Sequence, residues 1–273
     1  MTARRPIFAT RSQLYLGLFL VAALNAFVGL GVREVEEVGI ASAAFNLFGI
    51  SAILWVALAA GLTILGGDSS DERPHSADLA LAAAVLAATL FPAATASSVA
   101  LSGVGLWAAW SAARDTPLRR AGIIFLAMTG ALLWGRVLLA MFSRPLLDID
   151  AIFVAGLLGV ANQGNLIWSA DRATQLLVAP GCSSMQGLSL ALVLWATVNQ
   201  YFRVPFGWKA ALYCLAALAA TVLVNVLRIG AMLHWPAHLE AIHHGWGFWL
   251  SMWTTLILVC AICLYGARRE VFA

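Results

Sequence analysis

Apolar runs close to the length of a membrane span alternate with short polar or charged stretches along nearly the whole chain. The runs are far longer than the apolar segments of soluble strands, and they lack the polar face of a surface helix. Eight runs stand out, at about residues 13–31, 39–65, 79–95, 97–113, 121–142, 183–202, 210–232 and 245–265. The third and fourth are short and meet around Pro92. A hydrocarbon layer about 30 Å thick takes roughly 20 residues of helix, and only helices and closed barrels satisfy their own backbone hydrogen bonds in lipid. The pattern predicts an all-α polytopic membrane protein of about eight spans. It forms a single membrane domain over 1–273, with five spans in 1–143, an outer segment in 144–182 and three spans in 183–273.

Residues 144–180 interrupt the pattern. The apolar stretch 151–161 is too short to span and reads as interfacial or re-entrant. The polar sequence after it, with a brief apolar run at 176–179, reads as an outer loop with some extended structure.

Composition agrees with lipid as the solvent. Hydrophobic residues make up 62% of the 273 residues and charged residues only 11%, against about 25% charged in soluble domains. The net charge of +3 comes from scattered groups, so no nucleic-acid partner is implied. Charge does orient the spans. With both termini cytoplasmic, Arg4, Arg5, Arg11, Arg114, Arg119 and Arg120 lie inside, while Glu34, Glu36, Glu37, Asp148 and Asp150 lie outside. Arg4, Arg5 and Arg11 ahead of the alanine-rich 22–26 raise a cleavable signal peptide. The long apolar stretch favours an uncleaved anchor.

Candidate chemistry gathers at the outer ends of the last three spans. Of the four cysteines, Cys214, Cys260 and Cys263 lie within apolar spans and read as packing residues. Cys182 follows the Pro180-Gly181 turn, and Ser183-Ser184-Met185-Gln186 has the form of a capping box, so a helix is expected to start at Ser183. A thiol ahead of a helix N-terminus is favoured as thiolate, and the N–H groups there can hold an oxyanion; the alternative is a cysteine packed as a small apolar residue. Arg228, with Asn225 three residues earlier on the same helical face, either points into a cavity or snorkels to the headgroups. Arg136 in the fifth span poses the same question. His243 and His244 adjoin the start of the last span and read either as a general base or as solvated interfacial residues. Paired histidines also suggest a metal. With no H-E-x-x-H pattern and no thiolate cluster, zinc has little support, and no cofactor is expected.

A thiol, a base and an arginine on one membrane face form a sufficient set for acyl transfer. At these residues the sequence resembles the exosortase/archaeosortase family of membrane-embedded cysteine transpeptidases. The resemblance rests on Cys182-Ser183-Ser184, on Asn225-Val226-Leu227-Arg228, and on His243-His244-Gly245-Trp246-Gly247-Phe248, and it covers about the last third of the chain. The family's usual glycine after Cys-Ser is Ser184 here, and the doubled histidine leaves two candidates, with the spacing to Gly247 favouring His243. The resemblance implies catalytic Cys182, Arg228 and His243, with His244, Asn225 and Ser183 in support; Arg136, read from its place near the outer end of the fifth span, is a weaker candidate for the same cavity. The resemblance further implies an enzyme that cleaves a C-terminal sorting signal (motif, transmembrane helix, basic tail) from exported proteins. The new carboxyl end would pass to a lipid or glycan amine, or to water.

Two other classes compete. A small transporter binding an anionic solute at Arg228 and Arg136 would need a polar path through the inner half of the spans, where the sequence offers little polarity. A structural assembly factor would use no thiol chemistry.

Overall fold

The computed structural model describes residues 10–91 and 94–271. Five helical segments are long and apolar enough to cross a membrane: Arg11–Val38, Pro117–Leu158, Pro180–Tyr201, Trp208–His234 and Trp246–Arg268. Two shorter apolar helices, Ala52–Gly66 and Ser76–Thr89, add to them. The chain is therefore a helical multi-pass membrane protein. It divides into two compact units, one of residues 1–133 with 196–204 and the other of residues 134–195 with 205–273.

In the first unit, α1 (Arg11–Val38) begins at Thr10, whose hydroxyl accepts from the Gln13 N–H, an N-cap interaction. The apolar run 39–65, expected as one span, is broken. It forms α2 (Ile40–Phe45), a 3₁₀ turn (Leu47–Gly49) and α3 (Ala52–Gly66). Left-handed backbone at Leu47, Phe48 and Gly49 makes the break, and Ser51 caps α3 by accepting from the Ile53 N–H. The Asn46 amide donates to Glu34 on α1 at 2.6 Å. At Gly49 φ is +68°, and a Cβ would meet a Glu34 carboxylate oxygen at 2.8 Å. Hydropathy alone cannot register a turn whose side chains are mostly apolar.

Next come α4 (Ser76–Thr89) and α5 (Ala94–Ser111); Pro92, where the two runs meet, lies outside the described residues. The following helix, α6 (Pro117–Thr129), packs tightly on α5. A Cβ on Gly122 would sit 2.8 Å from the Ala108 Cβ, and one on Gly105 would sit 2.8 Å from the Leu126 backbone nitrogen. Small residues let membrane helices approach to this distance, where dispersion replaces the hydrophobic effect as the main attraction. Phe19 and Phe125 stack at 4.0 Å in the core. Arg120, read from sequence as part of a cytoplasmic loop, is buried and donates to the carbonyls of Gln200 and Tyr201 at 2.7 and 3.1 Å. That contact places a cation on the terminal carbonyls of a helix.

At the foot of this unit lies a buried polar cluster. Asp78 is fully buried and pairs with Arg11 at 2.9 Å. Its carboxylate also accepts from the Tyr15 hydroxyl (2.6 Å), the Trp107 indole (3.1 Å) and the His75 N–H (2.9 Å). Arg11 reaches Glu72 at 3.0 Å and Ser111 at 2.7 Å.

A π-helical turn (Gly130–Trp134) joins α6 to α7 (Gly135–Leu158) without a loop. The sequence reading ended the fifth span near 142 and began a loop at 144. Instead, the helix continues through Pro145 and absorbs it at Phe142, which takes φ −125°, ψ 29°. A proline removes one intrahelical donor and crowds the preceding turn, so the helix bends there and goes on. It ends at Gly159 in the left-handed conformation (φ 65°).

The expected extended structure follows as a three-stranded antiparallel sheet: β1 (Asn162–Gln163), β2 (Leu166–Trp168) and β3 (Gln175–Leu177). Ile167 pairs with Asn162 on one side and Leu176 on the other, and its side chain is fully buried. The second unit continues with α8 (Met185–Tyr201), whose residues from Ala196 belong to the first unit. It closes with α9 (Trp208–His234), the short α10 (Leu239–His243) and α11 (Trp246–Val271). Its core joins Ile167 and Val178 of the sheet segment to Val154 of α7, to Ile229 and Met232 of α9, and to Cys182.

Candidate active site

Cys182 is the last residue of a 3₁₀ turn, Pro180–Cys182, and is 3% exposed within that core. The sequence reading left it either packed or reactive; the structure packs it and brings an imidazole to its sulfur. Its Sγ lies 3.1 Å from His243 Nε2 while its remaining surface is covered by apolar side chains.

The capping box does not form. The helix starts at Met185, two residues later than expected, with the Ser183 hydroxyl shared between a tertiary acceptor and the first helical N–H. Ser183 Oγ donates to Asp150 at 2.7 Å and accepts from the Met185 N–H at 3.2 Å. The Ser184 hydroxyl meets the Asn225 amide at 3.1 Å, and its N–H donates to Asp150 at 3.2 Å. Asn225 also donates to the Cys182 carbonyl at 2.8 Å. Asp150 from α7 and Asn225 from α9 thus grip the backbone just after the residue that carries the sulfur. Asp150, counted from sequence only as an outer negative charge, is buried and is the anchoring residue that the sequence did not single out. Its one signal was an acid following an apolar stretch of helix, which a loop assignment concealed.

Substituting Asp150→Asn keeps the shape and removes the charged acceptor. It is expected to cost about 1–3 kcal/mol by leaving the Ser183 and Ser184 donors poorly paired. Thermal unfolding in detergent, together with the alkylation rate of Cys182, checks this. An unchanged melting temperature with an unchanged alkylation rate would remove Asp150 from the clamp.

His243 is the last residue of α10. Its Nδ1 lies 2.6 Å from His244 Nε2, with the two rings nearly perpendicular at 85°. Burial, followed by His244 and the Arg228 guanidinium, pushes the His243 pKa below its ordinary value, and Glu240 opposes them. The shift favours the neutral imidazole, the state in which Nε2 can accept a proton. Of the two histidines, His243 touches the sulfur and His244 touches His243.

Arg228 lies one helical turn after Asn225 on α9. Its guanidinium carbon is 5.8 Å from the centre of the Phe248 ring on α11. Its Nε is buried with no hydrogen-bond partner among the described residues. A buried, unpaired donor next to a thiol–imidazole pair suits an oxygen that arrives with a substrate. Arg136 is different: it is exposed on α7, makes no hydrogen bond or ion pair among the described residues, and is not part of this cluster. Beside the clamp, a small cavity of about 110 Å³ opens between Asp150, Phe153, Met185, Leu188 and Val222.

Cys214, Cys260 and Cys263 are free and distributed along α9 and α11; Cys263 is buried. Comparison with known proteins gave no match to a family model, to a curated sequence or to a solved structure.

Proposed function

We propose that this protein is a membrane cysteine peptidase or transpeptidase of the exosortase type, acting on peptides presented at the membrane by a C-terminal helix. The observation that carries the reading is the 3.1 Å approach of Cys182 Sγ to His243 Nε2, with Arg228, whose buried Nε has no hydrogen-bond partner among the described residues, near enough for its charge to act on His243.

The chemistry follows from the atoms. For Nε2 to accept the thiol proton, His243 must hold its own proton on Nδ1, which then donates to His244 Nε2. His244 thereby fixes the tautomer of the base, the role that a carboxylate plays in other triads. The sulfur attacks the scissile carbonyl as its proton passes to His243. Arg228 donates to the carbonyl oxygen as negative charge builds there. When the C–N bond breaks, His243 returns the proton to the leaving amine, and a thioester remains on Cys182. An acceptor amine or water then attacks the thioester and gives its proton to His243, the C–S bond breaks, and His243 passes that proton to the departing sulfur to restore the thiol and the neutral base. Anchoring the substrate's helix in the same bilayer raises its effective concentration at the sulfur.

In this reading the chain has about eight spans in the inner membrane. Both termini face the cytoplasm with the basic loops, and the site opens on the opposite face.

The test is the intermediate itself. After incubation with a helix-bearing substrate, mass spectrometry is expected to find the N-terminal fragment on Cys182 as a hydroxylamine-labile adduct. Product formation without such an adduct, in a protein that has also lost Cys182, would overturn the covalent route.

A further inference from the structure

Glu240, His243 and His244 each offer a ligand atom within 4.8 Å of the others. Glu240 and His244 stand four residues apart on the α10 turn, with Glu240 Oε2 at 4.0 Å from His244 Nε2. That spacing puts two donors on one side of a helical turn, the arrangement by which helices chelate metals. The donors are two imidazoles and a carboxylate, a set that suits Zn²⁺ and its neighbours and disfavours the hard Mg²⁺ and Ca²⁺. Both Glu240 and His244 are exposed, so an ion would reach them from water.

We infer that Glu240, His243 and His244 form a Zn²⁺ site that reversibly switches off the thiol. The inference rests on the functional reading above and adds its regulation. It turns on which edge of the His243 ring is occupied. His243 meets His244 through Nδ1 and Cys182 through Nε2, on opposite sides of the ring. A metal shared with His244 therefore binds Nδ1, and the ring's single proton moves from Nδ1 to Nε2. No proton is gained or lost by the pair, but Nε2 now donates toward sulfur and cannot accept from it. Cys182 keeps its proton and loses its base. The fourth coordination position goes to water.

The experiment uses the full-length protein in detergent and needs no substrate. Zn²⁺ binding is measured by calorimetry, and alkylation by iodoacetamide is read at Cys182 by peptide mass spectrometry, which separates it from the other three cysteines. Micromolar Zn²⁺ is expected to slow alkylation of Cys182 at least tenfold, and a chelator to restore it. In Glu240→Gln, with each rate referred to that variant's own metal-free rate, the Zn²⁺ needed for half-protection is expected to rise at least about tenfold. Cys182→Ser is expected to bind Zn²⁺ as the unmodified chain does. If Cys182→Ser no longer binds, the ion sits between sulfur and Nε2 and the assignment is overturned; absence of saturable binding also overturns it. A protein that binds Zn²⁺ in this way but forms no thioester would leave the metal site standing and refute the peptidase reading. A protein that forms the thioester without binding Zn²⁺ would do the reverse.

Discussion

Cys182→Ala is expected to abolish release of a tagged C-terminal fragment from a coexpressed substrate, with a loss of at least about a thousandfold. The other members of the cluster are graded below it. His243→Ala removes the group 3.1 Å from sulfur and is expected to cost about 10²- to 10⁴-fold, the usual contribution of a positioned general base. His244→Ala leaves that contact intact and is expected to cost less than His243→Ala, because it frees the Nδ1 edge without removing the acceptor. The readout is the fraction of tag released in cells, compared at equal amounts of enzyme in the membrane. Tag release that survives in Cys182→Ala would end the nucleophile assignment, and a His244 variant more damaged than the His243 variant would reverse the two roles. A transporter or an assembly factor predicts that none of these substitutions changes processing.

The second large effect is on stability and lies in the other unit. Asp78→Ala is expected to lower stability by about 3–5 kcal/mol, because it leaves the buried Arg11 with only the half-exposed Glu72 carboxylate as counter-charge and deprives Tyr15 and Trp107 of their acceptor. Replacing both partners, as Arg11→Met with Asp78→Leu, is expected to cost much less than the sum of the two single changes. A buried pair exchanged for apolar side chains is often close to neutral, whereas half of one is not. Denaturation in mixed detergent, followed by tryptophan fluorescence, measures both variants. A loss under about 1 kcal/mol for Asp78→Ala would show that the cluster is not what ties α1 to α4.

The sequence made legible the membrane character and the polar residues that the structure gathers around Cys182, because both depend on local signals. Long apolar runs need lipid, and a cysteine after Pro-Gly, an Asn-x-x-Arg and a doubled histidine each declare a chemical type. It did not make legible the groups whose role depends on a distant partner. Asp150 and Arg120 look like flanking charges until folding brings serine hydroxyls to one and helix carbonyls to the other. Arg11 looks like a topology signal until it meets Asp78. The missed breaks have a local cause. The turn at Leu47–Gly49 is apolar in composition, so hydropathy runs across it, whereas Pro145 and its charged neighbours imitate a loop inside a helix that bends and continues. The helix start moved from Ser183 to Met185 in a similar way: a capping motif offers only potential donors and acceptors, and here the Ser183 hydroxyl is shared between a tertiary acceptor and the first helical N–H.

In the proposed mechanism the backbone anchors lie on the Cys182 carbonyl and on the two serines after it, while the sulfur itself meets the base that takes its proton. An acyl group loaded onto Sγ disturbs none of those anchors. Under that proposal the loaded and empty forms would share one scaffold, and the turn that carries the sulfur would not have to be rebuilt in each cycle.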